Sequence, residues 1–474
     1  MIFDKSRKNI DISYVLFGII LLGDFMKLSF FIMLNKLITW VCKVFRRNGS
    51  VFPGYFIYVI LKQEKLLEKV KYPKHVIAIT GSSGKGSTTQ VLYNILSKNG
   101  YDVCYNDSGS NGVLAATTLI LNNCNLKGEF KHEVLLLECD ERHLKLIFGK
   151  NKMTHMAITN VTRDQPARNG HPEIVFNDIL ASLDDNATLI VNSDDPLLNK
   201  LKYERKNEII TYGIAKNEDS YKLSNLNCLD HSYCPICHKK LEYEYYHYGH
   251  IGNYKCPNCE FERGKVMYEA TGINYDKNVM KINGKDVYLN KGVLYAVYSI
   301  LCAYSIARSI GLSDEDIVKT MNDNKFESKR GKIMELDGRK ITMLESKNEN
   351  NLSYYQSIKF ITNQKGKKTI ILGFDNVSRR YKFNDLSWLW DVDFELLKDK
   401  TIDKIFIIGR FRYDVLTRLE FANIDKEKLV LVDDLNEVIK MVKDESLGDI
   451  YIMVCFDMTA NLLKLIKEEN HENI

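Results

Sequence analysis

Hydrophobic positions along this chain form short, β-branched runs separated by stretches of helical period. Between residues 54 and 215 the runs are "HVIAIT" (75–80), "EVLLLEC" (133–139), "HMAITNV" (155–161), "ATLIVN" (187–192) and "EIITYG" (208–213). Runs apolar on both sides of the pleat predict strands buried on two faces, and helices between them predict parallel crossovers. An α/β fold with a mostly parallel, doubly wound sheet is expected. The alternation breaks at about 228–265. A helix follows over "GVLYAVYSILCAYSIARSIG" (292–311), closed by Gly311. Alternation resumes after about residue 328 with "KTIILGF" (368–374), "DKIFIIG" (403–409), "KLVLVD" (428–433) and "DIYIMVCF" (449–456). This predicts a smaller, Rossmann-like α/β domain of ordinary size. The expected division is an apolar, basic helical segment at 1–53, a central domain at 54–327 carrying the insertion, and a C-terminal domain at 328–474.

Composition is that of a globular protein, with 45% hydrophobic and 27% charged residues among 474 and only 7 prolines. The net charge of +5 changes the picture, because residues 1–48 hold eight Lys/Arg against three acids and the rest is balanced. A nucleic-acid-binding protein spreads basic surface over its folded domains, so no nucleic-acid partner is expected. The excess accompanies two apolar runs. Ile12–Gly23 is short for a membrane span and is interrupted by Asp24 and Lys27. Leu28–Phe45, which contains Asn35, Lys36 and Lys43, predicts an amphipathic helix lying on a membrane or packed on protein. No small-residue cleavage site follows, which argues against a signal peptide. Of eleven cysteines, seven (Cys42, Cys104, Cys124, Cys139, Cys228, Cys302, Cys455) lie mostly in apolar surroundings, as reduced packing residues do, and the cytosol is the expected compartment.

The sharpest chemical signal is "VIAITGSSGKGSTTQVLYNILSKNG". A buried strand ends at Thr80, the loop Gly81, Ser82, Ser83, Gly84, Lys85, Gly86, Ser87 follows, and a helix begins near Thr88. Glycines let backbone N–H groups turn toward a phosphate, the helix N-terminus adds positive potential, and Lys85 reaches the terminal phosphates of ATP. Ser87 or Thr88 can offer a hydroxyl to Mg²⁺. The second signal is Cys234-x-x-Cys237, eighteen residues, then Cys256-x-x-Cys259. Four thiolates so spaced can close a tetrahedral Zn²⁺ site. The aromatic strip "YEYYHYGH" between them predicts a small hairpin that needs metal to hold its fold. Redox motifs of this kind come singly, and His247 and His250 are read as hairpin residues because four cysteines fill the site.

The loop is similar to the Gly-Thr-Asn-Gly-Lys-x-Thr loop of Mur ligases and folylpolyglutamate synthases, which join a carboxylate to an amine through an acyl phosphate. "NDSGSN" (106–111), "LLLECDE" (135–141), "ITNVTRDQPARNG" (158–170) and "VNSDDP" (191–196) resemble further motifs of that superfamily, in order. The inserted four-cysteine ribbon, "NGSVFPG" (48–54), "NDLSWLWDVDFE" (384–395) and "RFRYDVLTRLEFANI" (410–424) narrow the resemblance to the MurT family, the synthetase subunits of lipid II isoglutaminyl synthases, over about residues 26–465. The resemblance implies ATP- and Mg²⁺-dependent amidation of D-glutamate in lipid II at the inner face of the cell membrane, with ammonia from a GatD-type glutaminase. It implies Mg²⁺ at Glu138 and nucleotide contacts at Asn160 and Asp195. It also implies an aspartate completing the glutaminase triad, Asp391 first, then Asp393 and Asp385. "YAVYS" (295–299), "KRGKIME" (329–335) and "KNENNLSYYQ" (347–356) depart from superfamily patterns. They leave open a divergent ligase for another carboxylate, or a nucleotide-binding scaffold without turnover.

Overall fold

The computed structural model describes residues 28–469, except 108, 150–151, 166–168, 223–228, 276, 290–292, 324–332, 347–350 and 376–385. Asp385, Cys228 and parts of the departing motifs at 329–335 and 347–356 therefore lie outside the described residues.

Strands β1 (His75–Thr80), β2 (Val103–Tyr105), β3 (Val134–Glu138), β4 (His155–Ile158), β5 (Thr188–Asn192) and β6 (Ile209–Ile214) are parallel. The inserted hairpin of β7 (Glu242–Tyr248) and β8 (Ile251–Lys255) stands apart as its own two-stranded sheet. Beyond it, β9 (Tyr268–Asn274) pairs parallel with β6, and β10 (Val279–Ile282) and β11 (Lys285–Tyr288) continue antiparallel to the edge. The nine-stranded order is β11-β10-β9-β6-β5-β4-β1-β3-β2. β1 lies near the middle and all six of its residues are buried. Alternation along β1 serves two cores, with Ile77 and Ile79 packing on one face and Val76 and Ala78 on the other.

Three helices cover that sheet where it concerns function: α1 (Leu28–Val44), α2 (Lys85–Lys98) and α3 (Val113–Asn122). A fourth, α4 (Leu294–Ser309), packs against α2 on the face of Ile77. α4 is buried over twelve of its residues, as expected of a helix apolar nearly all round, and ends two residues before Gly311 at φ +105°. α1 lies against α3 on the other face, where Phe31 and Ile32 join the core.

The C-terminal sheet has the order β12-β13-β17-β14-β15-β16, with β12 (Ile333–Leu336), β13 (Arg339–Ser346), β14 (Lys368–Gly373), β15 (Ile402–Ile408), β16 (Leu429–Leu431) and β17 (Asp449–Cys455). All pairs are parallel except β12–β13. Helix α5 (Arg412–Phe421) packs on one face. Periodicity does not mark β9–β13, which are short or polar on one side. Two of their turns are nonetheless written in the sequence. Asn283-Gly284 and Asp337-Gly338 take φ +51°/+77° and +49°/+74°, the signature of two-residue hairpin turns.

Candidate functional site

The site lies at the carboxyl ends of β1, β3, β4 and β5, the place where open α/β sheets gather their ligand-binding loops. The loop after β1 runs from Gly81 to Gly84, and α2 begins at Lys85. Gly81 takes φ +124°, and a Cβ there would fall 2.4 Å from Thr159 Oγ1, so only glycine fits. Gly84 takes φ +85° and turns the chain into the helix.

The loop after β4 props this cradle from behind. Asn160 Oδ1 accepts from Ser83 N at 3.1 Å, and Asn160 Nδ2 donates to Ser83 O at 3.1 Å. Ser82 N donates to Asn160 O at 2.9 Å. Ser82 Oγ donates to Thr162 O and accepts from Thr162 N, both at 2.9 Å. Thr159 Oγ1 donates to Ser83 O at 2.6 Å. Asn160 thus fixes the loop's shape through its backbone.

Lys85 is buried, and its ammonium donates to Gly81 O and to Glu141 Oε1, the latter at 2.7 Å. Burial works against its charge, but Glu141, with Asp164 and Glu138 nearby, outweighs that and raises its pKa. Glu141 Oε1 also accepts from Gly81 N at 3.1 Å. Glu138 ends β3 beside the first turn of α2, and a Cβ on Gly86 would lie 3.0 Å from Glu138 Oε2. The missing side chain at Gly86 therefore gives the carboxylate its place. Asn106 clasps the Glu138 backbone, accepting from its N at 2.9 Å and donating to its O at 3.0 Å. Asn111 Nδ2 donates to Glu138 Oε1 at 3.4 Å. Thr88 Oγ1 is buried without a hydrogen-bond partner among the described residues. An orphaned hydroxyl, a carboxylate and a helix N-terminus suit a hydrated divalent cation beside a phosphate, so the residues fit Mg²⁺.

Asp195 is fully buried and serves as a cap. Its Oδ1 accepts from Leu197 N at 3.0 Å, and its Oδ2 accepts from Val161 N at 2.9 Å. It binds the loop after β5 to the loop after β4, and its oxygens are used in doing so. The neighbouring Asp194 pairs with Arg263 Nε at 2.6 Å and accepts from Tyr298 OH at 2.8 Å, all within the core.

At the hairpin base, Cys234, Cys237, Cys256 and Cys259 bring four sulfurs within 4.8 Å of one another. Cys234 and Cys259 sulfurs are 3.6 Å apart, and Cys237 and Cys256 sulfurs 3.4 Å. A tetrahedral Zn²⁺ with Zn–S near 2.3 Å spaces its sulfurs about 3.8 Å apart, so the donor set fits. Ile236 N donates to Cys234 Sγ and Asn258 N to Cys256 Sγ, both at 3.4 Å, which stabilises thiolates in two tight knuckles. A backbone N–H at Lys239 draws the Cys237 thiol down to about 6. His247 and His250 lie buried in the hairpin and its turn, and His247 Nε2 lies 3.0 Å from Ile214 O.

Asp391 closes a short 3₁₀ turn, Ser387–Asp391, in the C-terminal domain. Its Oδ2 accepts from Arg163 Nη1 at 2.5 Å, and Arg163 Nε pairs with Asp230 at 3.2 Å. Asp393 is buried. Beside Asp391, Trp390 is half exposed, packs edge-on against exposed Phe421, and has the Arg418 guanidinium over its ring. Two participants carry no signal of their own in the sequence. Glu141 stood inside "LLLECDE", three residues past Glu138. Arg163 stood inside "TNVTRDQ", and its partner lies 228 positions away.

The Mur ligase middle-domain model matches residues 79–259, and the MurT ligase C-terminal model matches residues 348–458. The lipid II isoglutaminyl synthase (glutamine-hydrolyzing) subunit MurT of Staphylococcus aureus (strain COL) is 25% identical over 407 residues, 83% of this chain and 88% of that one. The same subunit of Streptococcus pneumoniae (strain ATCC BAA-255 / R6) is 26% identical over 428 residues, 88% and 92% of the two chains. In fold, the chain is similar to a pseudomurein peptide ligase type C from Methanothermus fervidus, with a TM-score of 0.63 at 19% identity over 85% of this chain and 80% of that one.

Proposed function

The chain belongs to the MurT branch of the Mur ligase family, and on that premise we propose that it is the synthetase subunit of a lipid II isoglutaminyl synthase. It uses ATP to convert the α-carboxylate of D-glutamate in the lipid II stem peptide to the amide of D-isoglutamine, a step of peptidoglycan synthesis. One observation carries this reading: a phosphate loop with Lys85 held inside it and Glu138 against its helix stands on the same chain as a MurT-type C-terminal domain.

The carboxylate oxygen attacks the γ-phosphorus of ATP, the bond to ADP breaks, and an acyl phosphate forms. Ammonia then attacks the acyl carbon and phosphate leaves. Neither step needs a covalent nucleophile from the protein; both need charge neutralised at fixed positions. Lys85 and the N-terminus of α2 supply positive potential to the transferring phosphoryl group. Glu138, with the hydroxyl of Ser87 or Thr88, would hold Mg²⁺, which when bound offsets charge on the triphosphate. Asn160 keeps the cradle in shape from behind.

The nitrogen comes from glutamine through a GatD-type glutaminase with a Cys–His pair. Asp391 is the residue we assign to orient that histidine, a task a carboxylate can perform across an interface if it is held rigidly. Support comes from the Arg163 ion pair and from the half-exposed Trp390 beside it. The lipid substrate puts the reaction at the inner face of the membrane. Co-expression with the glutaminase, followed by mass spectrometry of lipid II, tests the whole reading. Glutamine- and ATP-dependent replacement of one carboxyl by an amide is expected, lost in Lys85→Ala. Full amidation by Lys85→Ala would overturn it.

A further inference from the structure

Helix α1 is apolar on two sides, and the fold uses one of them. Phe31, Ile32, Asn35 and Cys42 are buried against the central domain. Asn35 Nδ2 donates to Thr118 O at 3.1 Å and Asn122 Oδ1 at 2.9 Å, and Lys36 Nζ donates to Cys124 O at 2.6 Å. At about 100° per residue, Met33, Leu37, Trp40 and Val44 gather on the opposite side within a narrow arc. All four are exposed, Trp40 by 62%, and Phe45 just past the helix end is 72% exposed. Single exposed hydrophobic residues are ordinary, but a continuous stripe marks a surface that meets something apolar.

Charge identifies the occupant. From Leu28 to Ile60 the chain carries Lys36, Lys43, Arg46 and Arg47 and no acid. Lys43, Arg46 and Arg47 are exposed, and none of them makes an ion pair among the described residues. A second copy of the chain would bring these cations toward one another with no local acid to answer them. No described helix is long and apolar enough to cross a membrane, and the inner side of α1 is already seated on α3. The geometry points to α1 as a docking surface for an anionic lipid bilayer: the Trp40 stripe lies in the interface and Lys43, Arg46 and Arg47 face the headgroups. This deepens the membrane-face reading above and stands independently of the amidation reading.

Flotation of the full-length chain with phosphatidylglycerol-containing vesicles, against pure phosphatidylcholine vesicles, tests it. Binding to the anionic vesicles is expected, and Leu37→Glu/Trp40→Glu and Lys43→Glu/Arg46→Glu/Arg47→Glu should each weaken it by about tenfold or more. Melting curves should match wild type, since these side chains are exposed. Amidation of detergent-solubilised lipid II should persist in both variants, which separates failure of docking from failure of the ligase reading. Three outcomes overturn the proposal: no binding to anionic vesicles; wild-type binding by both variants, with loss only on removing residues 1–25; or a concentration-dependent dimer, without vesicle binding, that Leu37→Glu/Trp40→Glu dissolves.

Discussion

The ammonium of Lys85 is held by one carboxylate, Glu141, in a site where both partners are nearly inaccessible. Such a pair adds little net stability over an apolar replacement, yet removing one partner alone leaves a buried charge unanswered. Glu141→Leu is therefore expected to destabilise the central domain by about 3–5 kcal/mol, whereas Lys85→Met/Glu141→Leu should recover much of that. Denaturant melts of the two single variants and the double variant measure the coupling. A double-variant loss equal to the sum of the two single-variant losses would show that the pair is not coupled. At this scale the sequence was legible where chemistry demands one residue type. Lys85, the glycines and the four cysteines were evident from spacing alone. Glu141 was not, because three acids in four positions at a strand end (Glu138, Asp140, Glu141) do not say which one turns toward the lysine. Asp195 shows the converse: the resemblance linked it to nucleotide, and the fold uses its carboxylate to cap a turn.

The element that most changes meaning is the inserted hairpin. Its own core is small, centred on Leu241, Tyr254 and Phe261 beside the cysteines. Its far side is fastened to the loop after β5. Tyr254 OH donates to Ser193 O at 2.9 Å and Gly252 N to Asp194 O at 2.9 Å. That loop is bonded in turn to the one after β4, with Asn192 Nδ2 donating to Thr159 O at 3.2 Å. The clip thus buttresses the back of the phosphate cradle. Chelation of the metal, or Cys234→Ser, is expected to open residues 231–262 to protease and to weaken ATP binding by about tenfold, as loss of outer-shell support commonly does. Limited proteolysis and nucleotide titration check both effects, and a chelated protein with fold and affinity intact would remove the metal assignment. The hairpin was visible in sequence as cysteine knuckles around aromatics. Its role as a buttress was not, since it depends on contacts between loops that only the sheet order brings together.

Across the whole molecule, Arg163 joins the loop behind the phosphate cradle to Asp391 in the C-terminal domain. The loop after β1, propped by the loop that carries Arg163, and the Ser387–Asp391 turn are therefore mechanically adjacent. If Asp391 orients the glutaminase histidine, Asp391→Asn should lower glutamine-dependent amidation by about 10²–10⁴-fold, the scale of losing a triad's orienting carboxylate. It should leave ammonium-dependent amidation near wild type. Assaying the complex with each nitrogen source decides the matter, because a merely structural loss would reduce both activities together.

The sequence by itself determined the kind of sheet, the glycine-rich turn between β1 and α2, the four-cysteine cluster and the second α/β sheet. Each of these is enforced locally, by period, by glycine's backbone freedom or by ligand spacing. Tertiary structure alone decided which acid meets Lys85, that Asp195 is a cap, that Arg163 reaches Asp391, and that one apolar side of α1 is buried while the other faces outward. These depend on residues far apart in the chain meeting at the carboxyl ends of strands or across a domain junction, and neither composition nor periodicity encodes such long-range contacts.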